Sequence, residues 1–236
     1  MVTYSQQSPE ILVNGLSSAN LHFKASRPHR PCQLSIPDEV AEHFLITDIK
    51  VGRYSQMIGA SCLPASAFAA SARAEEIYCD WCREGEYVTV SVTCTSSDAQ
   101  KISVLLRGRE PGAESALAPG QRRTLAGLGH TIVRAKESAI VRVVEQEPFA
   151  VDRLIVPAEI REHFDLVGLQ AKDRQEKRAV SIAAPFGPLR YYDPMSEGRV
   201  CMIPPRPVDP GDAIELEVRN VSPQSRAFYG ALGGWF

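Results

Sequence analysis

The sequence contains the same pattern of residues twice. Residues 18–44 align without a gap with residues 138–164 at a constant offset of 120, and nine of the 27 aligned positions are identical. Apolar character is also kept where the residues differ, as at Val40 and Ile160. Self-similarity over this length indicates two copies of one structural unit, which constrains the fold more than any local pattern does.

The ends of the two copies correspond at a larger offset. Gly85–Ser96 matches Gly211–Ser222 at an offset of 126, and each stretch leads to an apolar segment ending in glycine, Ile102–Gly108 and Ala227–Gly230. The second copy therefore has about six extra residues in its middle, and surface loops accept an insertion of that size at little cost.

The repeat predicts the organisation of the chain. The polar start, with Pro9 and Gly15, resembles an arm that becomes ordered on assembly. A stretch rich in Pro, Gly and small residues follows the first copy and indicates a linker, with a candidate strand near Thr131. The predicted segments are an N-terminal arm over 1–17, copy 1 over 18–109, a linker over 110–137 and copy 2 over 138–236.

Strict alternation of apolar and polar residues predicts strands with one face against a core. The alternating apolar positions are Val88, Val90 and Val92 in copy 1, and Ile214, Leu216 and Val218 in copy 2. Many short strands separated by turn-forming residues are typical of a sandwich or barrel. The predicted fold class is mainly β: two similar β-sandwich or jelly-roll-like domains in tandem, each with one short helix.

A repeated Pro-x-Glu-x-x-Glu-His-Phe motif predicts that helix. Proline suits a helix start, and the following acidic residues complement the positive end of the helix dipole. The apolar residues are spaced i, i+4, which would place them on one face of about two turns. We interpret the histidines as helix-end partners rather than metal ligands. The motif residues are Pro37, Glu39, His43, Phe44, Pro157, Glu159, His163 and Phe164.

Cys79 and Cys82 form the sharpest local motif, a C-x-x-C pair. One such pair is weak evidence for zinc, which normally needs a second pair or a histidine pair. The aligned stretch of copy 2, Pro205–Val208, has no cysteine. Structural or incidental thiols are therefore favoured over a metal or redox site. Because no established catalytic motif accompanies them, we predict no enzyme activity, no metal and no cofactor.

Composition and charge exclude several classes of function. The net charge is −2, so the sequence lacks the strongly basic surface typical of nucleic-acid binding. No apolar run approaches the roughly 20 residues that a membrane-spanning helix requires. The polar start resembles no secretory signal, and the six cysteines suit a reducing compartment. We expect cytoplasmic synthesis, with the product remaining there or entering a virion or other assembly.

The segment Gly230–Phe236 ends on two large aromatic residues after several glycines. Exposed aromatic side chains at a chain end are unfavourable unless they pack on something. Trp235 and Phe236 are therefore candidate residues of a subunit interface. Packing in the core of their own domain is the other interpretation, and the sequence favours neither.

The repeated Ile-Pro or Val-Pro pattern, the stretch Ile46–Gln56 and the stretch Gly211–Asn220 resemble those of tandem-β proteins. In plan, the chain is similar to the double-jelly-roll capsid proteins of tailless icosahedral phages. This resemblance implies a homo-oligomer, of which a pseudo-hexameric trimer is one arrangement, together with other structural subunits.

Two functions are expected from these features. The first is a self-assembling structural protein, capsid- or shell-like. The alternative is a β-sandwich binding module for a carbohydrate or another small polar ligand, with Tyr191, Tyr192 and Trp81 stacking on it. An enzyme or redox protein that uses Cys79 and Cys82 ranks third.

Overall fold

The chain forms two compact units in a computed structural model that describes residues 4–58, 62–70, 77, 79–111, 123–144, 148–156, 158–172, 179–183, 187–188 and 206–235. The first unit contains Met1–Met57 and Cys62–Thr124, and the second contains Ile58–Ser61 and Leu125–Phe236. Antiparallel strands dominate both units, which confirms the prediction of a mainly β class.

The strands in the first half of the chain are β1 (Tyr4–Gln7), β2 (Ile11–Val13), β3 (Ser18–Lys24), β4 (Arg30–Ser35), β5 (Phe44–Val51), β6 (Tyr54–Ser55), β7 (Met57–Ile58), β8 (Leu63–Pro64), β9 (Tyr87–Cys94), β10 (Gln100–Ile102) and β11 (Leu105–Arg109). A helix α1 (Asp38–Ala41) and a 3₁₀ turn (Ala65–Phe68) accompany them. One sheet has the order β3-β9-β5-β6, with β8 also on β5. A second has the order β1-β11-β4, and β10 pairs with β2.

The strands in the second half are β12 (Arg123–Val133), β13 (Ser138–Val144), β14 (Phe149–Ile155), β15 (Phe164–Lys172), β16 (Ala179–Ala183), β17 (Gly187–Pro188), β18 (Arg206–Val208), β19 (Ala213–Asn220) and β20 (Arg226–Trp235). A second helix, α2, spans Ala158–Arg161. One sheet has the order β13-β19-β15-β16, with β17 also on β15, and in the other β18, β14, β20 and β12 are neighbours in that order.

The central strands of the two units pair in corresponding registers. Phe44 lies opposite Cys94 on the β5–β9 pair, and Phe164 lies opposite Asn220 on the β15–β19 pair. These positions are related by the same offsets, 120 and 126, that align the two sequence copies. Both β5 and β15 also contain a β-bulge after their third residue, where Thr47 and Val167 have no partner in the strand pairing. The two units thus share strand order and register in this sheet.

The correspondence at the chain end differs from the sequence alignment. Ser35 lies opposite Leu105 on β4–β11, and Ile155 lies opposite Ala231 on β14–β20. The offset of 126 therefore continues through Trp235, so the counterpart of Gly108 is Gly234. The predicted match to Gly230 is wrong, because an alignment by residue type does not detect which residues pair across strands.

The predicted N-terminal arm over 1–17 is wrong for most of its length. Strand β1 pairs with β11, and β2 pairs with β10, so this segment belongs to the sheets of the first unit. Tyr4 and Val13 are buried there. The remaining residues of β1 are polar and only Tyr4 is fully buried, so the segment has no apolar alternation that sequence analysis could recognise.

The predicted linker over 110–137 contains more structure than its composition indicated. Strand β12 occupies Arg123–Val133, and it starts well before the candidate strand near Thr131. Its residues Leu125, Ala126 and Leu128 are buried. The Pro- and Gly-rich residues 112–122 lie outside the described part of the chain.

Each repeated helix motif forms a single helical turn, so the prediction of about two turns is wrong. Pro37 is the N-cap of α1, Asp38 and Glu39 occupy its first turn, and the backbone N–H of His43 donates to the carbonyl of Val40 at 3.0 Å. Phe44 is the first residue of β5 and therefore does not share a helix face with Val40. A helix this short is held by tertiary contacts, which decide its length.

The apolar faces predicted from alternation are the core faces of both units. Val88, Val90 and Val92 are fully buried, as are Leu216 and Val218. In the second unit the rings of Phe164 and Phe228 meet edge to face, with their centroids 5.2 Å apart. Within the described residues, no helix combines the length and apolar character needed to cross a membrane.

Candidate functional site

The C-x-x-C pair lies beside the start of β4, where Cys82 forms an isolated antiparallel bridge with His29. The backbone groups of Cys82 and His29 exchange two hydrogen bonds of 2.9 and 3.0 Å, and Cys79 N–H donates to the carbonyl of Pro31 at 3.3 Å. In the second unit, β18 occupies the corresponding place beside β14. The cysteines thus belong to a shared sheet edge rather than to a helix start, which is where a redox dithiol usually lies.

Burial makes the two thiols poor nucleophiles and poor metal ligands. Cys82 has no exposed surface, and burial raises its pKa to about 11. Burial, followed by the negative charge of Asp80, raises the pKa of Cys79 well above its usual range. Both groups are therefore neutral thiols near neutral pH. In the part of the chain that the structure describes, no three His, Cys, Asp or Glu side chains are grouped so that they could hold a metal ion.

Cys79 and Cys82 are expected to resist alkylation by iodoacetamide in the folded protein near neutral pH. Both are buried and protonated, whereas Cys62 is only partly buried and should react first. Peptide mapping by mass spectrometry after native labelling measures this order, and labelling in denaturant is the control in which all three react. Labelling of Cys82 as fast as Cys62 in the native protein would contradict the described burial.

His29 is the most unusual polar residue in the first unit. Its ring is fully buried and stacks on Tyr4 with centroids 3.7 Å apart. Nδ1 lies 3.1 Å from the carbonyl oxygen of Arg27, while Nε2 has no hydrogen-bond partner among the described residues. Burial lowers the pKa of His29, so the imidazole is neutral and packs as an aromatic ring against Tyr4 and Gly108.

Cationic side chains cover the aromatic residues near this sheet edge. The guanidinium group of Arg30 lies 5.0 Å from the ring centroid of Trp81, and that of Arg27 lies 5.8 Å from the ring of Tyr4. Trp81 was predicted as a stacking surface for a ligand, yet Arg30 already occupies one of its faces. The other predicted stacking residues, Tyr191 and Tyr192, lie outside the described residues.

The repeated histidines have a backbone role that is the same in both units. The carbonyl of His43 accepts a hydrogen bond from Thr95 N–H at 2.8 Å, and that of His163 accepts one from Val221 N–H at 2.8 Å. The imidazole Nε2 of His43 lies 3.6 Å from Oε1 of the adjacent Glu42. The two backbone hydrogen bonds to the carbonyls of His43 and His163 join the end of each helical turn to the residue after β9 or β19. Pro157 and the side chain of Glu159 lie outside the described part.

The glycine-rich C-terminus forms a strand rather than a flexible end. Trp235 is the last residue of β20, partly buried and opposite Ala150, while Phe236 lies outside the described residues. Leu232 is fully buried in the core of the second unit. A Cβ on Gly234 would stand 2.3 Å from the carbonyl oxygen of Ala150, so the glycine permits this close strand contact. Trp235 is thus at least partly packed within its own unit.

A charged group is nearly buried in the sheet of the second unit. Glu215 on β19 is 6% exposed, and its Oε2 lies 2.7 Å from Lys172 Nζ and 3.0 Å from Gln170 Nε2. The hydrogen bond from Lys172 is the main cause that lowers the pKa of Glu215, and Gln170 and the charge of Arg142 act in the same direction. The carboxylate is therefore paired and charged at neutral pH.

The second unit is expected to lose stability in acid partly through Glu215. Its pKa is lower in the folded chain, so its contribution is present above the ordinary glutamate value of about 4.3 and is lost as pH falls below it. Urea denaturation of wild type and Glu215→Gln at several pH values measures this. The variant should be less stable at neutral pH and should show a smaller loss in acid. Equal acid dependence of the two proteins would exclude this role for Glu215.

Several large apolar side chains are exposed, and two of them, Leu12 and Ile132, stand at corresponding places in the two units. Leu12 on β2 is 64% exposed, and Ile132, the residue at an offset of 120 on β12, is 63% exposed. On β13, Ile140 is 58% and Val144 is 40% exposed. Exposed apolar residues that recur or cluster in this way mark candidate interaction surfaces.

Comparison with known proteins adds no assignment to this geometry. No protein-family model matches the chain, and no curated protein matches its sequence. Among the described surfaces, the exposed apolar residues on β2, β12 and β13 are the most distinctive.

Proposed function

We propose that this chain is a self-assembling structural protein, capsid- or shell-like, whose copies associate with one another through corresponding surfaces of the two units. The observation that supports this most directly is the equal exposure of Leu12 and Ile132. A single exposed apolar residue is ordinary, but the same feature at the same place in two units of matching register points to a contact made twice.

Such a repeated contact suits a closed assembly. Two similar units per chain allow three chains to form a ring of six similar units, and rings of this kind are efficient building blocks of closed shells. Transfer of a large aliphatic side chain from water into a packed interface contributes about 1.5–3 kcal/mol. Burial of Leu12 and Ile132 in an interface would contribute most of this free energy, because both side chains are largely exposed in the single chain.

The oligomeric state of the purified chain tests the proposal. Native mass spectrometry and light scattering across a wide range of protein concentrations should show oligomers, and negative-stain imaging should show rings or larger particles. A single-chain mass at every concentration would refute it. The double substitution Leu12→Thr with Ile132→Thr should weaken the assembly, because it removes apolar surface. Threonine suits strand geometry, so the fold should be kept.

Leu16 offers a matched control for these substitutions. It is 73% exposed, so it is at least as accessible as Leu12, but its counterpart at an offset of 120 is Lys136. Both residues have positive φ, 55° and 63°, so lysine fits this backbone. Leu16→Lys should therefore leave the mass of the oligomer unchanged. A general effect of surface hydrophobicity would instead alter the assembly in this variant as well.

A further inference from the structure

The two units differ at one corresponding strand, β3 in the first and β13 in the second. The strands have the same length and the same alternation of exposed and buried residues. Each is the terminal strand in the order of its sheet, with β9 or β19 on one side. Among the described residues, no strand pairs with the other edge of either one. Both strands thus present backbone N–H and C=O groups at a sheet edge.

The outward side chains of the two edge strands differ in polarity. On β3 they are polar, with Asn20, His22 and Lys24 exposed. Polar residues and lysine in particular are the usual protection of an edge strand against pairing with another chain. On β13, Ile140 and Val144 stand at the places of Asn20 and Lys24. Because β3 has polar residues at equally exposed positions, the fold itself does not require apolar residues there.

The charge between the two apolar residues is balanced within the second unit. Arg142 lies opposite Glu215 on the β13–β19 pair, and Ile140 lies opposite Glu217. The guanidinium group therefore has carboxylates on the neighbouring strand, and a second β13 can approach without meeting an unbalanced positive charge. An edge that is apolar, charge-balanced and free of lysine is suited to a strand with the same properties.

We propose that β13 is the strand through which two copies of this chain pair edge to edge, antiparallel and about a two-fold axis. The proposal rests on the proposed self-assembly and names one of its contacts. A second copy supplies the same apolar residues and the same balanced charges, as a two-fold contact requires. An axis beside Arg142 would oppose two guanidinium groups, whereas an axis beside Ile140 places the two Ile140 side chains opposite each other at the centre and each Arg142 opposite Ser138. We therefore place the axis beside Ile140.

The test uses the full chain with substitutions to threonine, a β-branched residue that suits strands. Ile140→Thr combined with Val144→Thr removes apolar surface from β13, and Asn20→Thr combined with Lys24→Thr makes the matched change on β3. We expect the β13 variant to raise the dissociation constant of the smallest oligomer about tenfold or more, while the β3 variant keeps the wild-type value. Circular dichroism and melting temperature verify that each variant is folded.

Hydrogen exchange provides a second measurement that does not depend on a variant. Amides of Ser138–Val144 in the wild type should exchange more slowly as the protein concentration rises, and those of Ser18–Lys24 should not. If the chain assembles but shows neither the change in dissociation constant nor the slower exchange, the role of β13 is overturned and the proposed self-assembly stands. That outcome includes the case in which β13 binds a different protein. A wild type that is a single chain at every concentration would overturn the proposed function itself.

Discussion

Replacement of Phe164 by alanine is expected to lower the free energy of unfolding of the second unit by about 3–5 kcal/mol. Phe164 is fully buried at the start of β15, and its ring meets that of Phe228 edge to face. The substitution removes this aromatic contact and leaves a cavity that the surrounding strands fill only in part. Trp235 lies in the same unit, so denaturation followed by its fluorescence in a Trp81→Phe background measures the loss.

Two further variants show whether the loss of stability comes from the missing apolar volume and whether the first unit responds in the same way. Phe164→Leu keeps most of the apolar volume and should cost much less than the alanine substitution. Phe44 begins β5 at the corresponding place, and Phe44→Ala should lower the stability of the first unit by a similar amount. A loss below about 1 kcal/mol for Phe164→Ala would mean that this ring is not part of a packed core.

Gly234→Ala is expected to destabilise the second unit by about 3 kcal/mol, the upper end of the usual cost of overpacking. The added Cβ would stand 2.3 Å from the carbonyl oxygen of Ala150 and 2.7 Å from the ring of Phe149. The first contact is with backbone, so relief requires β14 and β20 to separate where they pair. The midpoint of urea denaturation, compared with that of the wild type, measures the effect.

The first unit provides a graded comparison for this substitution. A Cβ on Gly108 would stand 2.8 Å from Cδ2 of His29 and 2.9 Å from the carbonyl oxygen of Arg30, so Gly108→Ala should cost less. Gly85 has a φ of 82° and no atom within 4 Å of its added Cβ. Gly85→Ala should therefore cost only the backbone strain, about 1–2 kcal/mol. Equal effects of all three substitutions would contradict the close contact at Gly234.

The sequence determined the features that depend on local periodicity. Alternation predicted the buried faces of β9 and β19, because a strand against a core must place every second side chain inside. The offsets of 120 and 126 likewise relate residues that pair across strands in the two units.

Only the tertiary structure decided which weakly patterned segments pair, and how closely. Strand β1 pairs with β11 although only one of its side chains is fully buried. The glycine-rich segment forms β20, in which Gly234 permits a close approach to the carbonyl oxygen of Ala150. Each repeated helix stops after one turn, and Phe44 enters a strand. In all these cases backbone hydrogen bonds to distant residues determine the conformation. Their energy depends on partners far away in the sequence, which local residue patterns do not specify.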